Sequence, residues 1–167
     1  MTLGGASAPA PRYEEHAPDD EVSHALLTEY FTSREMTFPE VQGVYKVAYP
    51  DPARFEPPAG VFLVARDEHG RAVGCGGIRR IDDRDGGVCY EVKHLYLSPD
   101  ARGRGWGRAL LEELERRSRQ FGAVWSVLDT NDVLETAGQL YRTSGYDTVE
   151  PYNDNPNATT WYAKRLA

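Results

Sequence analysis

The stretch Arg102-Gly103-Arg104-Gly105-Trp106-Gly107-Arg108 decides how the rest of this chain is read. Glycine at every second position removes side chains where a backbone must expose its N–H groups. Immediately behind it, Trp106, Leu110, Leu114 and Phe121 recur at helical spacing, with Ala109 and Leu111 beside them. The first-turn amides of a helix have no partner inside it, and with the helix dipole they make a site for a phosphate or pyrophosphate. Arg102, Arg104 and Arg108 add charge-assisted contacts. A flexible turn with solvated arginines shows the same spacing, so the spacing alone does not decide. Two other phosphate loops are excluded. A Walker loop needs Gly-Lys-Ser/Thr, and the dinucleotide fingerprint needs G-x-G-x-x-G rather than alternating glycines.

Upstream the pattern has the period of strands. Val61 to Arg66 is apolar and ends in the turn Asp67-Glu68-His69-Gly70. Val73 to Ile81 returns, Asp82 to Gly87 turns again, and Val88 to Leu97 is a third strand. Short turns predict an antiparallel meander. Downstream, Gly122 stops the helix, and Val124 to Leu128 reads as a strand. Strand, crossover helix and strand imply a parallel pair. A helix over about Val133 to Ser144, ended by Gly145, and strands near Tyr146–Val149 and Thr160–Lys164 complete this half. Glu112/Arg116, Glu113/Arg117 and Glu115/Arg119 are spaced i,i+4 and are assigned to the solvent side of the long helix.

Before the strands, Asp19-Asp20-Glu21 precedes Val22, Ala25, Leu26, Leu27, Tyr30 and Phe31, which marks a first helix. A second, weaker helix is expected within 38–49. Tyr49-Pro50-Asp51-Pro52 and Pro57-Pro58 make a loop. Residues 1–18, rich in Ala, Gly and Pro, are read as a disordered tail. One domain follows, residues 19–167. Its class is α/β, with a mixed, mostly antiparallel sheet flanked by helices.

Hydrophobic residues make up 40% of the 167 and aromatics 11%, more than a disordered chain carries. No apolar run approaches the roughly 20 residues of a membrane span. The absence of a basic, then apolar, leader points to the cytoplasm. A net charge of -7 argues against a nucleic-acid partner. Cys75 and Cys89 lack zinc spacing, and no metal site is expected; they read as buried thiols in a reducing compartment.

Three segments together resemble the core of a GNAT acetyltransferase. Arg102 to Gly107 is similar to that superfamily's Arg/Gln-x-x-Gly-x-Gly/Ala signature for the coenzyme A pyrophosphate. Glu91-Val92-Lys93-His94-Leu95-Tyr96-Leu97 resembles the strand before it. Ala137-Gly138-Gln139-Leu140-Tyr141, continued to Gly145-Tyr146, resembles the A-x-x-L-Y-x-x-x-G-F/Y segment. They lie in the family's order and at about its spacing. The resemblance covers residues 88–146 in motif and roughly 60–165 in layout.

The resemblance implies an N-acetyltransferase that uses acetyl-coenzyme A and a small-molecule amine, by direct attack on the thioester. Tyr141 matches the tyrosine that protonates the coenzyme A sulfur, and Glu91 matches a strand carboxylate that serves as base in some members. The backbone of Leu95, Tyr96 and Leu97 would pair with the pantetheine arm, and Arg102, Gly103, Arg104, Gly105, Trp106, Gly107 and Arg108 would hold the pyrophosphate. From the residues themselves, Tyr141 also fits a core position and Glu91 an ordinary strand acid. His94 is a second candidate base. Glu91 and His94 are three apart, so on a regular strand they face opposite sides unless a bulge intervenes. Gly76-Gly77 permits a bend or close packing. Leu134 stands where many members carry Asn, and Asn131 is read as a helix cap. The loop Pro151 to Asn157 is a candidate wall of the acceptor pocket. A coenzyme A-binding sensor without turnover is the rival reading, and a homodimer is an expectation that the sequence leaves open.

Overall fold

The structure, a computed structural model, describes residues 9–167. Its strands are β1 (Arg12–Glu15), β2 (Gly60–Arg66), β3 (Ala72–Arg84), β4 (Gly87–Leu97), β5 (Trp125–Thr130), β6 (Asp147–Val149) and β7 (Thr160–Arg165). They form one sheet in the order β1-β2-β3-β4-β5-β7-β6. The pairs are antiparallel except β4 with β5, which α2 (Trp106–Gln120) joins as a crossover. The mixed α/β class expected from the sequence is therefore the class found.

Helices cover both faces. α1 (Glu21–Thr37) lies on one, and α2 with α3 (Glu135–Thr143) lies on the other. This explains the unbroken apolar run of β2. Val61 and Leu63 enter the core beneath α2, while Phe62 and Val64 enter the core beneath α1. A fully buried side chain of this size contributes about 1.5–3 kcal/mol, so these residues fix β2 as an interior strand. Asp20 caps α1 by accepting the Ser23 amide at 2.8 Å.

Three expectations are corrected. Arg12–Glu15 is an edge strand paired with Leu63–Arg66, so the tail does not extend to residue 18; residues 1–8 lie outside the described residues. The weak helix at 38–49 is a single 3-10 turn, Glu40–Gln42, within irregular chain. Of the three i,i+4 pairs only Glu113–Arg117 forms, at 2.9 Å. Glu115 is buried instead, with Lys164 at 2.9 Å and the Tyr146 hydroxyl donating to it at 2.9 Å. Those partners lie on strand and loop far along the chain, beyond the reach of helical spacing.

β4 and β5 pair only from Cys89–Glu91 against Trp125–Val127. Past that point β4 stays with β3 as far as Leu97, and β5 stays with β7 as far as Thr130. The two strands part, and a cleft opens between them.

Candidate active site

The glycine turn ends one side of this cleft. Gly103 and Gly105 have φ of +79° and +78°, which other residues adopt only with strain. Trp106, buried with Val73 and Ala101, anchors the turn to the sheet. Ala109 donates to the Gly105 carbonyl, which starts α2. Among the described residues, none of the amides from Gly103 to Arg108 has an acceptor within the protein. The arginines are held back onto the fold. Arg102 Nε donates to the Leu97 carbonyl at 3.1 Å. Arg104 pairs with Glu68 at 3.2 Å and stacks over Trp106. Arg108 donates to Thr143 and Ser144 at the end of α3.

The middle of the cleft is shaped by a bulge. The register runs from Cys75 opposite Tyr96 to Gly77 opposite Lys93, so Gly76 alone faces both His94 and Leu95. His94 has φ of +58°. The extra residue puts Glu91 and His94 on the same face, the one covered by α1. A Cβ at Gly76 would stand 2.9 Å from Leu114, and one at Gly77 would stand 2.7 Å from the Phe55 ring, so the pair serves close packing. The His94 ring lies among Tyr30, Phe31 and Phe55, and its Nδ1 is buried without a partner. Burial first, then the Lys93 and Arg79 charges, push its pKa down to about 3, so the ring is neutral at physiological pH.

Val92 to Leu95 border a cavity of about 740 Å³ that also takes in Leu128, Asp129, Leu134 and Tyr141. Of the three residues expected to run beside the pantetheine, only Leu95 touches this cavity. Tyr96 and Leu97 place their side chains in packed clusters, and their backbone carries the same strand edge on toward the glycine turn. Tyr141 projects from α3 beside Tyr146 and Tyr162. Burial pushes its pKa well above the ordinary phenol value, so it keeps its proton.

Glu91 is placed differently. It is 1% exposed and lies on a separate, smaller cavity of about 310 Å³. Arg79 donates to one carboxylate oxygen at 2.9 Å. The other accepts from the Tyr152 hydroxyl at 2.7 Å and from Asn153. The structure thus brings together Tyr141, Leu95 and His94 on one wall and leaves Glu91 behind it.

The Pro151–Asn157 loop does line the large cavity, through Asn153 to Asn157. Its alternating asparagines hold it in place. Asn153 donates to Asp129 at 2.8 Å and accepts from Trp161 Nε1 at 2.8 Å. Asn155 also donates to Asp129, and Asn157 exchanges two hydrogen bonds with the Lys46 backbone. Asn131 does not cap α3. Its Oδ1 accepts the Val133 amide at 3.1 Å in the turn before the helix and its Nδ2 donates to Gln42 and the Asn157 carbonyl, while Leu134 precedes the helix without a side-chain cap. Sequence reasoning missed Arg34 and Asp129, which also face the cavity; neither belongs to a motif. The asparagine alternation was the one available signal for the loop. Both cysteines are buried free thiols, and no metal-binding cluster occurs among the described residues.

Residues 21–146 match the model of the acetyltransferase (GNAT) family. The chain is 40% identical over 111 residues to an uncharacterized N-acetyltransferase of Schizosaccharomyces pombe. That match spans 66% of each chain, so about a third of the relative lies outside it. In fold, the chain is similar to a GNAT-family acetyltransferase of Staphylococcus aureus, with a TM-score of 0.74 at 18% identity, over 95% of this chain and 100% of that one. It is also similar to a GNAT-family acetyltransferase of Elizabethkingia anophelis with acetyl-CoA bound, with a TM-score of 0.61 at 13% identity, over 93% and 97%.

Proposed function

The chain belongs to the acetyltransferase (GNAT) family, and from that premise we propose that it transfers an acetyl group from acetyl-coenzyme A to the amine of a small molecule. The observation that carries this reading is the parting of β4 from β5, which leaves the edge of β4 free between the cavity that Tyr141 lines and the glycine turn that follows the strand. The run of unpartnered amides from Gly103 to Arg108 suits a pyrophosphate, and the free edge of β4 suits the pantetheine amides as an added strand.

Transfer forms a C–N bond as the C–S bond breaks. Tyr141 supplies the proton that the departing thiolate needs. The amine's proton passes to water, which enters because part of the cavity wall is exposed. Glu91 acts in this reading through Tyr152 and Asn153, not as a base, because both its oxygens are already engaged. Two free buried thiols support a reducing, cytoplasmic setting.

The test is release of free thiol from acetyl-coenzyme A across a panel of small amines. Tyr141→Phe is expected to lower kcat by about 100-fold, in line with a general acid, and to leave the Kd for acetyl-coenzyme A unchanged. Cofactor binding without turnover of any amine would favour the sensor reading. No binding at all would end the coenzyme A assignment.

A further inference from the structure

We infer that the acceptor is an amine that also carries a carboxylate on an apolar body, with the carboxylate seated at Arg34. This rests on the acetyl-transfer reading and names the substrate class of that same site.

Besides Tyr141, the large cavity is walled by five Phe and Tyr rings, Tyr30, Phe31, Phe38, Tyr45 and Tyr49, which suit an apolar body. Its charge is opposite to that of the chain. The wall carries five basic side chains against three acidic ones, whereas the whole sequence has 19 basic and 26 acidic residues. Arg79 and Lys93 are already matched, by Glu91 and Asp129. Among the described residues, Arg34, Lys46 and Arg54 have no carboxylate within ion-pair distance, and the two remaining acids of the wall, Asp51 and Asp154, are exposed.

Arg34 is the best placed of the three. It rises from α1, is only partly exposed, and rests its guanidinium 4.8 Å from the Tyr30 ring centre. Among the described residues its guanidinium has no hydrogen-bond acceptor, so its donors are free for a bidentate carboxylate. The charges of Arg34 and Asp129 both act on the Tyr141 hydroxyl, after the larger effect of burial. Arg34, Asp129 and Tyr141 thus line the same cavity, the first without a carboxylate partner and the second held by Lys93 and the asparagine loop. A ligand with its anionic group at Arg34 keeps its amine in the cavity that Tyr141 and Asp129 also line. The coenzyme A phosphates do not compete for Arg34, because no residue from Arg102 to Arg108 borders this cavity.

The experiment compares phenylalanine and leucine with their decarboxylated counterparts, phenethylamine and isoamylamine, by thiol release. Calorimetry of acetyl-coenzyme A binding runs alongside. The amino acids are expected to exceed the amines in kcat/KM by about 10- to 100-fold, the range of a hydrogen-bonded charged contact. Arg34→Gln is expected to bring that ratio close to one, through KM, and Arg34→Lys to restore part of it. Thermal melting checks that both variants fold. Equal turnover of the amines, or an unchanged ratio in Arg34→Gln, overturns the inference. No turnover of any acceptor with cofactor binding intact also overturns it. If acetyl-coenzyme A does not bind, the reading beneath it falls as well.

Discussion

At the glycine turn the protein presents backbone; at the far end of the cleft it presents side chains. The turn's amides are free, while the arginines around them are tied to Leu97, Glu68 and the end of α3. At the other end the backbone is fixed by side chains, with Asn153 alone bonded to Asp129, Glu91 and Trp161. A group recognised by backbone can be the same in every relative with this turn, because no side chain needs to be right. A group recognised by side chains differs whenever one of them does. The difference is what a transferase with a fixed donor and a variable acceptor requires.

The sharpest way to break this comparison is Gly105→Val. A β-branched residue at φ of +78° is strained, and the turn must move to relieve it. The Kd for acetyl-coenzyme A, read by calorimetry, is expected to rise at least about 10-fold, while Arg102→Ala and Arg108→Ala change it only about 2- to 3-fold, since a lone exposed charge contributes little. Equal losses would mean that the arginines, not the amides, hold the cofactor.

Asn153→Ala probes the other end. It leaves Trp161 Nε1 and a buried Asp129 oxygen each one partner short, which costs about 1–3 kcal/mol of stability in a denaturant melt. The KM for the acceptor is expected to rise about 5-fold, with the Kd for acetyl-coenzyme A unchanged. If both constants moved together, the two ends would not be independent.

The smallest effect concerns His94. Its folded pKa of about 3 lies below the ordinary value of 6.5, so the unfolded chain binds the proton first. The neutral ring's contribution to stability is complete above pH 6.5 and is lost progressively as pH falls toward 3. Between pH 6.5 and about 5.5 ordinary carboxylates stay largely ionised, which separates the histidine from them. His94→Gln is expected to flatten the stability curve in that window. An unchanged slope would show that the ring is not held neutral.

The same contrast explains what the sequence could disclose. The glycine turn is seven consecutive residues, so its chemistry is legible where it stands, and the strand and helix periods around it are equally local. The wall of the large cavity draws on α1, the irregular chain before β2, the bulge of β4, α3 and the asparagine loop. No spacing rule joins Arg34 to Asp129. Period two puts Glu91 and His94 on opposite faces unless a bulge intervenes, and only the register of β3 with β4 reveals that one does. Glu115 was set in solvent because its partner Lys164 lies on the last strand. The motif singles out Tyr141, but the burial that keeps its proton in place comes from tertiary packing.

The outer strands of the sheet have one more consequence. β1 is four residues long, three of them charged, and β6 is three residues long. Such edges offer a neighbouring molecule little to zip onto. Among the described residues, the longest strand edge without a partner strand is the β5-facing edge of β4 from Val92 to Leu97, whose other edge is paired with β3. Among the described residues the short, charged rims therefore resist fibril-like self-association, and the longer free edge is kept in a slot between β4 and β5, out of reach of a neighbouring sheet.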